Sequence, residues 1–434
     1  MSVSFNFLKF ILRKAAKRTI QRYKPTVVGI TGSAGKTMAK EAIYTVLSHK
    51  FKVRKNAENF NNEIGVPLTI LGVDPRLSTA NIKPNNWPRL LKFWWNLFPA
   101  FWRAYGPFDP NYPEILVLEM AAAKPGDIDY LVDIARPKVG VVTTVGDIPV
   151  HVEYYPSPSA VAKEKARLVE ALVDQNSLAV LNFDDKVVLD MQNKIKAPVL
   201  TMGLSSKADI WASGISYFVS DDGENVGGIS FKVNKESTFV PFKVSGVVGI
   251  HQIYSLLSAV AVGLHFGINI IDASVALEKM ELPGGRMRLI EGIKNSKIID
   301  DTYNASPLAV HAALETLKSL ADATERFTQE RIRRIAVLGD MKELGKYTEQ
   351  AHRSIGNIAC EIADIVITVG DAAKFIADSA MSQKMKDNIY SFSTSREAKD
   401  KVKKIIEAGD GNDLVLIKGS HSMKMDEIVD EIKI

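Results

Sequence analysis

Thr31-Gly32-Ser33-Ala34-Gly35-Lys36-Thr37 follows the apolar run Thr26-Val27-Val28-Gly29-Ile30 and closes on Gly-Lys-Thr. Those residue types at that spacing make a phosphate cradle. Gly32 and Gly35, with Ser33 and Ala34 between them, let backbone N–H groups face anionic oxygens. Lys36 adds a point charge for the outer phosphates, and the Thr37 hydroxyl is placed to hold Mg²⁺. The chemistry is ATP binding. The first glycine of the usual eight-residue pattern falls one place early, at Gly29 rather than at Ile30. A tight strand-to-helix turn would need the glycines but not the Lys-Thr pair.

The loop needs a strand behind it and a helix in front, and the chain supplies both repeatedly. Apolar runs at Val27–Ile30, Ile115–Leu118, Val139–Thr143, Leu178–Leu181, Ile335–Leu338, Ile365–Val369 and Leu414–Ile417 alternate with helical stretches. This alternation predicts an α/β fold: a P-loop-type central domain with a mainly parallel sheet, then a C-terminal Rossmann-like domain. Between Ile210 and Val244 the pattern shifts to short alternation with Asp221-Asp222-Gly223 and Gly227-Gly228 turns, which reads as antiparallel hairpins. The breaker cluster Leu282-Pro283-Gly284-Gly285 is the expected joint. Expected segments are a leading helix at 1–24, an ATP-binding domain at 25–282 and a C-terminal domain at 283–434.

With 46% hydrophobic and 24% charged residues, the composition is that of a folded globular chain of two or three domains. It has no apolar run long enough to span a bilayer. Lys9, Arg13 and Lys14 interrupt the N-terminal apolar stretch, so it does not read as a cleavable signal. Cys360 is the single cysteine, which excludes an internal disulfide and a thiolate metal site. A cytoplasmic location is expected. The net charge of +5 is unevenly placed, because the first forty residues contain no Asp or Glu. Lys9, Arg13, Lys14, Lys17, Arg18, Arg22 and Lys24 there accompany Phe7, Leu8, Ile11, Leu12 and Ala15 at helical spacing. That amphipathic helix either docks on the protein's own surface or lies on a membrane face. A second aromatic and basic segment, at about 84–106, holds Trp87, Trp94, Trp95 and Trp102. It suits a membrane interface, a partner groove or a loop folded over the core. Nothing supports a nucleic-acid partner.

Further motifs follow the loop in order. They are Asn59-Phe60-Asn61-Asn62-Glu63-Ile64-Gly65, Leu118-Glu119-Met120, His151, Lys163-Glu164-Lys165, Gly285-Arg286, Asp300-Asp301-Thr302-Tyr303-Asn304, Gly339-Asp340-Met341-Lys342-Glu343-Leu344-Gly345 and Lys418-Gly419-Ser420. Together, from about Lys24 to the C-terminus, they resemble the Mur ligase family in its MurF-type branch. The resemblance implies an ATP-dependent ligase that phosphorylates a carboxylate and lets an amine attack the acyl phosphate, in cell-wall precursor synthesis. The implied acceptor is a muropeptide, and the implied donor is D-Ala-D-Ala or a similar amine.

By the same resemblance Thr37 and Glu119 hold one Mg²⁺. His151 and Lys165, the latter as a carbamate formed with CO₂, hold a second. Lys36, Glu119, His151 and Lys165 form the implied catalytic set. Asn304, Asp301, Arg286 and Gln252 accompany the nucleotide, while Asn59, Asn61, Asn62, Lys418, Ser420 and His421 meet the substrates. Taken alone, Lys165 would read as a solvated helix lysine, and the Asp300-Asp301 pair as a cap for the helix entered at Pro307. The sequence departs from the family at His251-Gln252, where His-Asn is common, and at His421, where an arginine is common. A further departure is expected at the front, where about two dozen residues stand in place of a uridine-binding domain. A work site at the inner membrane surface is expected from the basic helix and the Trp-rich segment. Two rival readings are a ligase of another acid and amine, such as a capsule polyglutamate synthase, and a non-catalytic ATP-binding scaffold at the membrane.

Overall fold

The computed structural model describes residues 3–57, 60–74, 98, 101–219, 226–383 and 388–434. Asn59, the Asp221-Asp222-Gly223 turn, and Trp87, Trp94 and Trp95 of the aromatic segment lie outside the described residues. None of the described helices is long and apolar enough to cross a membrane. The chain divides into two compact units: Met1–Val145 with Ser159–Trp211 and Tyr254–Ala276, and Gly146–Pro158 with Ala212–Ile253 and Leu277–Ile434.

The first unit is built on α1 (Val3–Tyr23), β1 (Thr26–Thr31), α2 (Lys36–Ser48), β2 (Val53–Lys55), α3 (Gly65–Leu71), β3 (Ile115–Glu119), α4 (Asp127–Ile134), β4 (Val139–Val142), α5 (Pro158–Glu170), β5 (Leu178–Asn182), α6 (Lys186–Leu189) and β6 (Val199–Gly203). Its strands run parallel in the order β2-β3-β1-β4-β5-β6. The sequence of β3, Ile115-Leu116-Val117-Leu118, is buried at every position, as expected for a parallel strand covered on both faces. The chain leaves β1 for β2 and β3 on one side and later places β4 on the other. Such a reversal of strand order opens a crevice beyond the carboxyl ends of β1, β3 and β4.

Helix α1 belongs to this core. Leu12, Ala15 and Ala16 are buried with Val66 and Leu68 of α3 and with Ile128 and Leu131 of α4. Lys9 pairs with Glu63 at 2.6 Å and Lys17 with Asp133 at 2.8 Å. The inward face of the basic helix is therefore docked on the protein itself, whereas Phe7, at the same helical spacing in the sequence, is exposed.

The second unit contains most of β7 (Ile210–Val219), with β8 (Val226–Lys235) and β9 (Thr238–Ser245) beside it. Strands β8 and β9 pair antiparallel, with Ile229, Phe231, Val233, Phe242 and Val244 buried in alternation. Helices α7 (Ile253–His265) and α8 (Ile270–Glu278) then belong largely to the first unit.

A second sheet follows, from β10 (Arg288–Glu291), β11 (Lys297–Asp301), α9 (Pro307–Thr328), β12 (Arg333–Gly339), α10 (Thr348–Ile362), β13 (Ile365–Val369), α11 (Lys374–Gln383), β14 (Ile389–Phe392), α12 (Ser395–Glu407), β15 (Asp413–Lys418) and α13 (Asp426–Ile432). Its order is β10-β11-β15-β12-β13-β14, parallel except for β10. One local reading changes here. Asp300 and Asp301 are the last residues of β11, held by pairing with Ile417 and Lys418. The cap of α9 is Ser306, whose Oγ accepts from Ala309 N at 3.3 Å with Pro307 in the first turn. Ser directly before Pro is the preferred start of a helix, so the aspartates are released from that task.

Candidate active site

The phosphate loop is shaped by two glycines with positive φ, Gly32 at 148° and Gly35 at 80°. A Cβ on Gly32 would lie 2.1 Å from Thr143 Oγ1, so the backbone approaches β4 more closely than any side chain permits. Ser33 N donates to Thr144 O at 2.6 Å, and Thr143 Oγ1 donates to Ala34 O at 2.6 Å, which ties the loop to the end of β4. The hydroxyls of Thr31 and Ser33 are buried without a hydrogen-bond partner among the described residues. Unsatisfied buried oxygens are costly, and a bound oxyanion with protein N–H groups around it accounts for a loop left in that state.

Two lysines converge on the loop. Lys36 Nζ donates to Gly32 O at 3.0 Å, and Lys165 Nζ donates to the same oxygen at 3.0 Å. Lys165 lies on the buried face of α5 with Val161 and Leu168, while Lys163 is exposed. Burial, and then the nearby Lys36 charge, hold the Lys165 amine well below the usual lysine range, against a weaker pull from Glu164. A site that concentrates positive charge around one carbonyl is prepared for a polyanion.

Glu119 ends β3 and is buried. Thr37 Oγ1 donates to its Oε2 at 3.1 Å and Asn61 Nδ2 to its Oε1 at 2.8 Å. Asn56 fixes the backbone on both sides, accepting from Glu119 N at 2.9 Å and donating to Glu119 O at 3.1 Å. Lys40, entirely buried one turn along α2 from Lys36, places Nζ 3.9 Å from Glu119 Oε2 and 3.5 Å from Glu41 Oε1. Its pKa is lowered by burial, with Glu119 opposing. Among the described residues no group of three or more His, Cys, Asp and Glu side chains could hold a metal. The hard oxygens of Thr37 and Glu119 alone fit Mg²⁺, which keeps water and phosphate oxygens as its other ligands. Asn62 plays a local part: its Oδ1 accepts from Ile64 N and Gly65 N at the start of α3.

In the second unit His151 sits at φ 66°, facing Glu343, itself at φ 65°. The two side chains pair, and the imidazole holds the Glu343 carboxyl below its ordinary range, against desolvation. Two non-glycine residues in the left-handed region, in contact, mark a functional loop more often than a structural one. Beyond the end of β11, Lys418 Nζ donates to Asp301 Oδ2 at 2.6 Å and to Asn304 O at 2.7 Å. Gln252 donates to Arg286 O at 3.4 Å, the Arg286 guanidinium lies 3.7 Å from the Tyr303 ring centre, and Tyr303 leans on His421 at 5.7 Å. Ser420 Oγ accepts from Lys342 N at 2.9 Å. Desolvation pushes the His251 imidazole down to about 4, with Asp301 opposing and Lys418 assisting.

The residues expected from sequence thus form two local sets. Thr37, Lys36, Asn61, Glu119 and Lys165 gather around the phosphate loop in the first unit, where Asn62 starts α3, and His151, Gln252, Arg286, Asp301, Asn304, Lys418, Ser420 and His421 lie in the second. Sequence reasoning missed Lys40 and Asn56, which touch Glu119, and Glu343, which touches His151. Lys40 carried a signal in its one-turn spacing from Lys36; Glu343 became visible only through tertiary contact.

A phosphate loop backed by a metal-ready carboxylate, with a Rossmann-like second sheet, defines an ATP-dependent ligase. Residues 107–263 match the Mur ligase middle domain, and residues 285–421 match the family described as Mur ligase, glutamate ligase domain. The chain is 30% identical over 424 residues, 97% of its length and 79% of the relative's, to "UDP-N-acetylmuramoyl-tripeptide--D-alanyl-D-alanine ligase" of Bacillus subtilis (strain 168). The crystal structure of MurF ligase from Thermotoga maritima in complex with ADP superposes with a TM-score of 0.74 at 26% identity, covering 98% of this chain and 83% of that one. MurF from Acinetobacter baumannii shares the fold, with a TM-score of 0.76 at 22% identity over 98% of this chain and 80% of that one. The chain belongs to the Mur ligase family.

Proposed function

We propose that this chain joins the amine of D-Ala-D-Ala, or a closely similar dipeptide, to the terminal carboxylate of a UDP-muramoyl tripeptide. The product is a peptidoglycan precursor. The relation to the Bacillus subtilis ligase over 97% of the chain supports this choice of substrates. The observation that carries the reaction class is the convergence of Lys36 and Lys165 on Gly32 O beside the Thr37–Glu119 pair.

The reaction balances in two steps. A carboxylate oxygen of the acceptor attacks the γ-phosphorus of ATP and ADP leaves; the dipeptide amine then attacks the acyl carbon, phosphate leaves, and the ammonium formed gives up a proton. The loop N–H groups bind the outer phosphates, and Lys36 neutralises charge that builds as two anions approach. Mg²⁺, held by Thr37 and Glu119, would supply further charge neutralisation at the β- and γ-oxygens. Lys40 and Asn61 hold Glu119 oriented for that task.

Lys165 is assigned the carbamate role. A lysine amine reacts with CO₂ only when neutral, and desolvation at this position favours the neutral form. As a carbamate it would offer an anionic oxygen to a second Mg²⁺. Arg286, Asp301, Asn304 and Gln252 are assigned to the nucleotide, and Asn59, Asn61, Lys418, Ser420 and His421 to the substrates. The Asn62 side chain is engaged in starting α3, so its part is to shape the Asn61 loop. The enzyme is assigned to the cytoplasm, working peripherally at the inner membrane face; the acid-free leading segment supports this placement.

The test is direct: incubate the protein with ATP, Mg²⁺, UDP-muramoyl tripeptide and D-Ala-D-Ala, then read ADP, phosphate and product mass. Release of phosphate that requires both acceptor and dipeptide is the expected result. Phosphate release indifferent to the dipeptide, with no new amide by mass, overturns the assignment.

A further inference from the structure

The outward stripe of α1 is unlike its docked face. Phe7, Phe10, Lys14, Arg18 and Arg22 succeed one another at three- and four-residue spacing, hence along one side of the helix. Phe7, Phe10, Lys14 and Arg18 are exposed. The segment ending at Phe108 lies alongside: the Arg18 guanidinium stands 4.8 Å from the Tyr105 ring centre and donates to Ala104 O at 3.1 Å, and Arg22 stands 5.9 Å from the Phe108 ring. Trp102 and Phe98 continue the patch, their rings 5.9 Å apart.

Phe7, Phe10, Phe98, Trp102, Tyr105 and Phe108 are each more than half exposed. Single exposed aromatics need no explanation, whereas six on two elements of one unit, with cations standing over Phe10, Tyr105 and Phe108, do. Lys14 lies 4.5 Å from the Phe10 ring and is itself exposed, so charge and ring reach the same boundary. No Asp or Glu occurs between residues 1 and 40 or between 98 and 108. The acidic neighbours Glu63 and Asp133 are engaged by Lys9 and by Arg13 and Lys17, and Asp109, next to Phe108, lies 4.0 Å from Arg103.

We infer that this patch is a docking surface for an anionic lipid bilayer, with the six aromatics entering the headgroup boundary and Lys14, Arg18 and Arg22 facing lipid phosphates. The inference rests on the membrane placement proposed above and names the surface that does it. Charge complementarity selects the occupant. A protein groove would have to cover rings and basic side chains together, while the interface of an acidic bilayer accepts amphipathic rings and basic side chains at one depth. Docking is peripheral and salt-sensitive, since each cation at an anionic surface counts for roughly a fivefold change in partition.

The test is co-sedimentation of the full chain with phosphatidylglycerol-containing vesicles and with pure phosphatidylcholine vesicles, at low and high salt. The wild type is expected to sediment with the anionic vesicles at low salt and to stay in solution otherwise. Lys14→Glu with Arg18→Glu should weaken binding at least about 25-fold, and Phe10→Ser with Trp102→Ser roughly tenfold or more. Both variants should retain ligase turnover on soluble substrates and a wild-type circular dichroism spectrum. A wild type that stays in solution with anionic vesicles overturns the inference, as does undiminished binding by both folded variants. Either result leaves the ligase assignment standing, because turnover on soluble substrates reads that separately.

Discussion

At the scale of single residues, the phosphate loop concentrates its chemistry on one carbonyl. Lys36 and Lys165 both donate to Gly32 O; removing Lys36 should remove charge the transferring phosphoryl group needs, and removing Lys165 should remove the carbamate oxygen assigned to the second Mg²⁺. Lys36→Ala is expected to lower kcat by about 10²–10³-fold with the fold intact, measured by coupled ADP release. Lys165→Ala should be equally inactive, and short-chain carboxylic acids should restore part of its turnover by standing in for the carbamate; full activity of the variant without them would remove the carbamate assignment. His251 gives a pH effect of definite sign. Its folded value of about 4 lies below the ordinary 6.5, so the unfolded chain binds the extra proton first. Stability associated with His251 is complete above pH 6.5 and is lost as pH falls towards 4. Thermal melts across that range should show a steeper decline for the wild type than for His251→Gln. Equal slopes would mean that His251 is not desolvated in the folded state.

Elements place these residues through a few close contacts. In the second unit, Gly356 of α10 leaves room for α11: a Cβ there would meet Ile376 O at 2.4 Å and Ser379 Cβ at 2.8 Å. Gly356→Leu should force the helices apart and cost about 1–3 kcal/mol in chemical denaturation, more than a surface substitution would. Helix α1 makes a parallel case in the first unit. Leu12 is 1% exposed within the core shared with α3 and α4. Leu12→Ala should cost about 2–5 kcal/mol, where a helix held only by a membrane would lose almost nothing. The docked helix and the membrane patch are thus opposite faces of one element, separable by mutation.

For the whole molecule, each unit has a buried hydrophobic cluster of its own. A ligand that binds only the folded state stabilises it by about 2.7 kcal/mol at a hundredfold excess over its Kd. ADP with Mg²⁺ should therefore raise the melting temperature of the wild type and fail to do so in Lys36→Ala. A rise of equal size in that variant would place the nucleotide elsewhere.

What the chain determined by itself was whatever is encoded locally. Val27–Ile30 followed by Gly32, Gly35 and Lys36-Thr37 specifies a strand, a turn and a helix start within a dozen residues, and the loop geometry follows. The buried apolar runs of both sheets were legible for the same reason, since period and burial are written in neighbouring residues. Tertiary structure alone decided which distant side chains meet within each unit. Lys40 against Glu119, Glu343 against His151 and Lys418 against Asp301 are separated by tens to hundreds of positions, and strand order, not spacing, brings them into contact. It also settled which face of α1 is buried, because the helix is amphipathic around more than one stripe and only packing against α3 and α4 selects between them.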